Sequence, residues 1–315
     1  MTSFSRALAP ATSANLGSGF DVLGVALDCL HDVVGVEVVS GEGVRIEATG
    51  KGSRSVPIDP GRNTAGVVAK ELLAASRERR GLKLTIEKGI APGSGLGSSA
   101  ASAAAAAVAV NESLGLGLSL MELVPVAARG EVASAGAPHA DNVAPALLGY
   151  FTLVRSYDPI DVVQLPSRGV VEFVVLIPSI GKKDTAAMRA VLPRSIELSQ
   201  LVYNVGRVAS LVAGIVTGDL ELMGKGMSDA VIESARSHFY PGLQDAKEEV
   251  LRSGAKGVAL SGAGPSLIVL VGSGQKSKDA VASAGIAAFA RHGISCEALV
   301  TRPGPGARLI RGDPA

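Results

Sequence analysis

Tryptophan is absent from the 315 residues, and aromatic residues of all kinds make up 3% of them. Proteins that grip single-stranded nucleic acid stack bases on aromatic rings, so this scarcity argues against that use. Charge of either sign is also lacking in excess: 30 Lys and Arg face 29 Asp and Glu, a formal net charge of +1. A nucleic-acid binder normally carries a basic surplus on one face. The two cysteines, Cys29 and Cys296, are far apart and too few for a disulfide framework or a zinc site, and they read as ordinary buried thiols. The longest apolar run, Ala100 to Val110, falls well short of the roughly 20 residues that a membrane-spanning helix needs. Long polar blocks, low-complexity tracts and internal repeats are missing too; with 47% apolar and 19% charged residues the chain is not of the disordered class. Met1 to Ala9 lacks the charged start and apolar core of a signal peptide. The expectation is a soluble, cytoplasmic protein whose partners are neither nucleic acid nor membrane. At this length it has room for two domains with cores of their own.

Two familiar nucleotide signatures are missing as well. No Gly-Lys-Ser/Thr ending marks a Walker A loop, and the Gly-x-Gly-x-x-Gly spacing of a dinucleotide site is not found. What the chain carries instead is Pro92-Gly93-Ser94-Gly95-Leu96-Gly97-Ser98-Ser99-Ala100-Ala101, followed by the alanine-rich run to Val110. Glycine lets a backbone turn tightly and approach a ligand, and alanine is the best helix former. The loop should therefore feed a helix whose first N–H groups and positive dipole end suit a phosphate. Serine hydroxyls add donors to a nucleotide and oxygen ligands for magnesium.

The surrounding pattern supplies the context such a loop needs. Phe4 to Ala9 and Val33 to Val39 read as strands, Asn63 to Arg80 as a helix closed by Gly81, and Leu82, Leu84 and Ile86 alternate as a strand that leads into the loop. Helices are expected from Ser98 to Leu114 and from Leu120 to about Gly130. A strand at Val170 to Pro178 follows a domain boundary placed near Pro159 to Ser167, which divides the chain into 1–160 and 161–315. In the second half, helices are expected at 195–216, 220–228, 244–253 and 278–292, and strands at 257–260, 266–271 and 295–300. Together they describe a sheet with helices on one face. The Gly/Pro-rich tail from Arg302 to Ala315 should be loosely held.

The loop resembles the phosphate loop of the small-molecule kinases that include galactokinase, homoserine kinase, mevalonate kinase and phosphomevalonate kinase. Two more segments match that family in order: Pro10-Ala11-Thr12-Ser13-Ala14-Asn15-Leu16-Gly17-Ser18-Gly19-Phe20-Asp21 near the start and Ser261-Gly262-Ala263-Gly264-Pro265-Ser266 near the end. Three motifs in one order span almost the whole chain. The resemblance implies two α+β domains, a ribosomal-protein-like N-terminal one and a ferredoxin-like C-terminal one, with the active site in the cleft between them. It also implies ATP and Mg2+ as cofactors and a homodimer. The third motif reads by itself as a hairpin turn; the resemblance has it face the first loop.

The resemblance further implies a set of site residues. Pro92, Gly93, Ser94, Gly95, Leu96, Gly97, Ser98, Ser99, Ala100 and Ala101 would bind ATP, with Asn63 and Lys88 on the adenine and ribose side. Ser99 and Glu131 would hold the metal. The stretch Gly130 to Pro145 is similar to that of the homoserine-directed members, because the position seven residues before Gly149, where mevalonate- and galactose-directed relatives place a catalytic aspartate, is Asn142. An amide cannot accept a proton as a carboxylate does, so catalysis would proceed without a protein base, Asn142 positioning groups and the γ-phosphate taking the hydroxyl proton. Asp141 is one residue away and remains a second candidate there. Arg189 and Arg236 would grip the α-carboxylate of L-homoserine, for which a guanidinium fork is suited. Asn15 and Asp21 would hold its hydroxyl and ammonium groups, His139 would donate a hydrogen bond in the acceptor pocket, and Thr185 would reach the terminal phosphate. Another small alcohol such as shikimate or mevalonate, and a non-catalytic nucleotide-binding role, are the alternatives.

Overall fold

The computed structural model describes residues 4–76, 78–136, 138–181 and 185–310, with the side chains of 133–135, 185 and 186 outside the description. The first part runs β1 (Phe4–Asn15), β2 (Gly19–Val39), β3 (Val44–Gly50), α1 (Thr64–Ala75), β4 (Gly81–Lys88), α2 (Ser98–Ser113), α3 (Leu120–Ala135), α4 (Ala140–Leu148), β5 (Phe151–Tyr157) and β6 (Ile160–Leu165). The second runs β7 (Glu172–Pro178), α5 (Thr185–Ala190), α6 (Leu198–Thr217), α7 (Leu220–Gly226), α8 (Ile232–Ser237), α9 (Leu243–Arg252), β8 (Gly257–Leu260), β9 (Leu267–Val271), α10 (Gln275–Arg291), β10 (Cys296–Thr301) and β11 (Arg308–Leu309).

Among the described residues the first sheet has seven strands, ordered β11-β1-β2-β4-β3 with β5 on β2 and β6 on β5. Its core is organised around α2. Alanine carries so little bulk that neighbours can approach from all sides, and Ala100 to Ala107 are buried all round. A helix apolar on every face belongs in a core. The apolar run seen in the sequence is that helix.

The second sheet has the order β10-β7-β9-β8, antiparallel throughout. Strand, helices, strand, strand, helix, strand in that order is the ferredoxin-like arrangement, so the expected two-domain α+β fold is present. The helices do not lie on one face, as the sequence suggested. Val174, Leu176, Val258, Leu260, Leu267 and Val269 pack with Leu243, Ala246 and Val250 of α9 and Val281, Ala288 and Phe289 of α10. The alternate residues Phe173, Val175, Ala259, Ile268 and Leu270 share a core with Leu211 and Ile215 of α6, Met223 of α7 and the first domain. Burial on both sides explains why these strands read as unbroken apolar runs. Among the described residues α6 is the one helix long and apolar enough to cross a membrane, with 20 residues and a mean hydropathy of 1.2; Leu211, Gly214 and Ile215 dock its second half into this core.

Other boundaries move for local reasons. Helix α1 stops at Ala75 because Ser76 turns extended and its hydroxyl donates to the carbonyl of Leu73, and Gly81 opens β4 instead of capping the helix. Helix α3 runs through Gly130 to Ala135. A Cβ on Gly130 would stand 2.8 Å from Val68 Cγ2 and 2.9 Å from the Thr64 carbonyl, so that glycine permits α1 and α3 to touch; Gly136, at φ +71°, is the cap. Both strands of the hairpin β5–β6, which runs through residues 160 and 161, belong to the first sheet. The tail is held as far as it is described. Leu309 and Arg308 pair with Ala7 and Leu8, Pro303 bridges Leu27, and Ala307 is buried. Both cysteines are half-buried and free, and burial raises both thiol pKa values.

The close contact of α7 with β8 allows a test of the two-sided packing. A Cβ on Gly224 would meet the Lys256 carbonyl at 2.0 Å, so Gly224→Ala should cost about 1–3 kcal/mol by overpacking. Urea unfolding would register this; an unchanged midpoint would mean that α7 does not press on the sheet.

Candidate active site

A cleft of about 340 Å³ opens between the two sheets, lined by all three motifs together with α3, α4 and α5. Its floor is the loop between β4 and α2. Gly93, Gly95 and Gly97 have φ of +77°, +83° and +64°. A Cβ on Gly97 would lie 1.9 Å from Thr12 Oγ1 and 3.1 Å from Asn142 Oδ1, and one on Gly95 would lie 2.6 Å from the Ser261 carbonyl and 2.8 Å from that of Gly264. The loop thus fits against β1, α4 and the third motif only without side chains at these points. The third motif is a β8–β9 hairpin connection that also faces the first loop. Ser261 Oγ lies 2.7 Å from the Gly95 carbonyl and 2.8 Å from Ser13 Oγ, the Gly262 N–H donates to the Ala14 carbonyl, and the Ser266 N–H donates to that of Ser94. Gly97 caps α2 without a side chain, which leaves the helix's first N–H groups without an internal acceptor.

Beneath the loop is a carboxylate that the sequence reading missed. Asp32 is 0% exposed. Its Oδ1 accepts the N–H groups of Gly89 and Ile90 at 3.0 and 3.1 Å, and its Oδ2 accepts Ser102 Oγ at 2.8 Å and the ammonium of Lys88. Lys88 also donates to the Ser98 carbonyl and to Ser102 Oγ, each at 2.8 Å. Lys88, expected on the nucleotide, therefore lines the cleft but spends its donors on the start of α2; burial lowers its pKa, and Asp32 opposes that. Asn63 is likewise the N-cap of α1, accepting from the Gly66 N–H and donating to the Pro57 carbonyl at 2.7 Å.

Ser99 and Glu131 meet at the head of α2, where Ser99 Oγ donates to Glu131 Oε2 at 3.0 Å. Glu131 is buried, which pushes its pKa up to about 7 against the pull of Ser99 and of the Lys88 charge. A hydroxyl and a carboxylate are hard oxygen donors, suited to magnesium with water and phosphate completing the shell. Among the described residues no group of three His, Cys, Asp or Glu is placed to hold a metal unaided.

The far end of the cleft collects charge. Asp21 adopts φ +60°, held by its N–H donating to Asn15 Oδ1 at 3.1 Å and by its carbonyl accepting Tyr157 OH at 2.7 Å. Its carboxylate accepts both terminal nitrogens of Arg189. Asn15 donates its amide to the Gly262 carbonyl at 2.9 Å, so it braces the turn and its tie to the second domain. Arg236 is 3% exposed, donates to the carbonyls of Met188 and Gly262 at 3.1 and 3.3 Å, and makes no ion pair among the described residues. Burial lowers its pKa, with Asp21 the largest opposing charge. Both guanidinium carbons sit over the Phe20 ring, at 5.6 Å for Arg189 and 5.4 Å for Arg236. His139 is buried and kept neutral chiefly by that burial; its Nε2 and Asp141 Oδ1 have no hydrogen-bond partner among the described residues. Burial, then the charges of Asp21 and Glu131, push Asp141 up to about 7. Asn142 Oδ1 accepts Thr12 Oγ1 at 2.9 Å beside Gly97.

The structure thus brings Asn15, Asp21, Asn63, Lys88, Pro92, Gly93, Gly95, Gly97, Ser98, Ser99, Glu131, His139, Asp141, Asn142, Arg189 and Arg236 to one cleft, whereas Ser94, Leu96, Ala100 and Ala101 do not line it, the last three because their side chains are packed in the core. Thr185 opens α5, and its side chain lies outside the described residues, as do Lys182 to Asp184. Thr12, Phe20, Asp32 and Tyr157 went unnamed as site residues. Thr12 and Phe20 sit inside the first motif, and Asp32 could have been found as a lone acid entering an apolar strand. Nothing local marks Tyr157.

The chain matches the family model of the GHMP kinases N terminal domain at residues 63–150 and that of the GHMP kinases C terminal at residues 211–293. The homoserine kinase of Methanocella arvoryzae is 45% identical over 305 residues, 97% of each chain. The crystal structure of homoserine kinase from Cytophaga hutchinsonii superposes with a TM-score of 0.92 at 38% identity over 98% of both chains. A mevalonate kinase from L. major in complex with R-mevalonate has the same fold, with a TM-score of 0.71 at 17% identity over 97% of both chains.

Two measurements probe these buried charges. Asp32→Ala would strand the Lys88 ammonium and should cost about 3–5 kcal/mol in urea unfolding, much of it recovered in Asp32→Ala/Lys88→Met; equal losses in both proteins would deny the pairing. Asp141 holds its proton longer in the folded protein than unfolded, so it should lower the stability of the free protein as pH rises from about 3.8 through 7. Asp141→Asn should therefore gain on the native protein as pH rises from about 3.8 to about 7 and gain no more above that. A gain independent of pH would show that Asp141 does not titrate there.

Proposed function

The chain belongs to the GHMP kinase family, and from that membership and the charges in its cleft we propose that it transfers the γ-phosphoryl group of ATP to the side-chain hydroxyl of L-homoserine, giving O-phospho-L-homoserine for threonine synthesis. The observation that carries the acceptor is Arg236, a buried cation in the cleft whose hydrogen-bond acceptors among the described residues are two neutral carbonyls. A buried charge without a counter-ion is costly, and an acceptor's carboxylate would remove that cost. Asp21 and Asp141 lie at the same end and supply negative charge for an α-ammonium group. Mevalonate and shikimate bear a carboxylate but no ammonium, and would bring no cation to Asp141.

Phosphoryl transfer needs alignment and charge neutralisation more than covalent help. The open N–H groups at the head of α2 and the loop backbone would hold the phosphates, with Lys88 and Asp32 fixing that helix start from below. Magnesium would be held by Ser99 and Glu131 and would neutralise charge on the phosphate oxygens. Asn142, tied to Thr12 through its oxygen, keeps its NH2 as a donor to the reacting groups and cannot serve as a base. The hydroxyl proton then passes to the γ-phosphate. His139, neutral and with Nε2 unpartnered among the described residues, is the donor to the acceptor hydroxyl or carboxylate. The same reading makes the protein a soluble, cytoplasmic enzyme.

ADP release measured with homoserine, mevalonate, shikimate and galactose tests the acceptor: homoserine should be turned over best, and turnover of another alcohol in its place would overturn the assignment. Arg236→Ala should lose about 2–5 kcal/mol in kcat/KM for homoserine while acceptor-independent ATPase activity survives; unaltered homoserine kinetics would break the acceptor model. Glu131→Ala should abolish turnover and weaken nucleotide binding less. Retained turnover would remove Glu131 from the metal site.

A further inference from the structure

The two arginines at the acceptor end carry like charge, and one carboxylate, that of Asp21, lies between their claims. Arg189 takes both of its oxygens, while Arg236 stays on carbonyls although Asp21 is the largest charge attracting it. The carbonyls of Met188 and Gly262 hold the Arg236 Nε and one Nη away from that carboxylate, and the plane of the guanidinium needs a support as well. The group in position is Phe20: its ring lies under both guanidinium carbons, at 5.4 and 5.6 Å. An aromatic face attracts a cation through its quadrupole, most strongly where water is excluded, and it offers no acceptor that would consume the guanidinium's N–H donors. Phe20 precedes Asp21, and the left-handed backbone of Asp21, pinned by Asn15 and Tyr157, turns the two consecutive side chains to the same pair of arginines.

We infer that Phe20 is a specificity-determining positioning residue, which parks Arg189 on Asp21 and Arg236 on its own ring so that Arg236 is left open to the acceptor's carboxylate. The inference rests on the acceptor reading above. Leucine at this position keeps the apolar bulk and loses the quadrupole, freeing Arg236 to share Asp21 and close the carboxylate site. Tyrosine keeps the ring.

The experiment is steady-state kinetics with homoserine and MgATP for the native protein, Phe20→Leu and Phe20→Tyr, with a series in which fluorinated phenylalanines replace Phe20. Fluorine drains the ring quadrupole with little change of shape, so that series does not depend on the leucine variant folding. Phe20→Leu should raise KM for homoserine about tenfold, with kcat and KM for ATP within about twofold of native, and Phe20→Tyr should restore the native value. The fluorinated series should raise KM for homoserine in step with each added fluorine. A flat fluorine series, or KM values for homoserine and ATP that rise together, would overturn the inference and leave the acceptor reading standing. Absence of homoserine turnover by the native protein would overturn both.

Discussion

Glycines at three points let segments of the chain approach closer than any side chain would allow, and the cleft depends on that contact. A Cβ on Gly17 would fall 2.0 Å from the Met227 carbonyl, one on Gly95 would strike Ser261 and Gly264, and one on Gly97 would strike Thr12. The first two contacts are the seam between the domains, and the third is the seat of α2. The loops touch through carbonyls, N–H groups and the short side chains of Ser13, Asn15 and Ser261, so their spacing is set by hydrogen-bond lengths. The result is a rigid cradle at the phosphate end. Asp32 extends that rigidity downwards, since its four accepted hydrogen bonds bind β4, the loop exit and α2 into one unit.

The other end of the cleft is built on the opposite principle. At the acceptor end it is charge that is gathered and buried. Arg236 makes no ion pair among the described residues, and Asp141 is a buried carboxyl whose pKa rises to about 7, as does that of Glu131 at the head of α2. Each such group lowers the stability of the empty protein, and strongly shifted groups gathered in one cleft mark a functional site. In the function proposed here a zwitterionic acceptor would answer the charges at this end. Membership of the GHMP kinases accounts for the shared phosphate end. The acceptor end is where a member of such a family distinguishes one alcohol from another.

Local residues foretold the elements that rest on local physics. The Ser98 helix start follows from glycines running into alanines, and the strands at Gly257 and Leu267 from their apolar runs. What went unseen was local too weakly or not local at all. Helix α4 contains Pro145 and follows Pro138, and two prolines so close together read as breakers of a nine-residue helix. Gly130 looked like a helix end because glycine usually is one, yet it lies in α3 to let α1 approach. The tail looked loose because it is rich in glycine and proline, yet β1 captures it.

From sequence alone came the chemistry. Three glycine-rich motifs in order carried a resemblance to a kinase family, and that resemblance implied a phosphoryl transfer to a charged small alcohol with roles for an amide at position 142, two arginines and the acids Asp21, Glu131 and Asp141. Tertiary structure alone decided who partners whom. Lys88 went to Asp32, Arg189 to Asp21, and Arg236 to the face of Phe20. These pairs span 56, 168 and 216 positions of chain, and the energy of a charge depends on burial and on neighbours brought near by folding, which no spacing along the chain records.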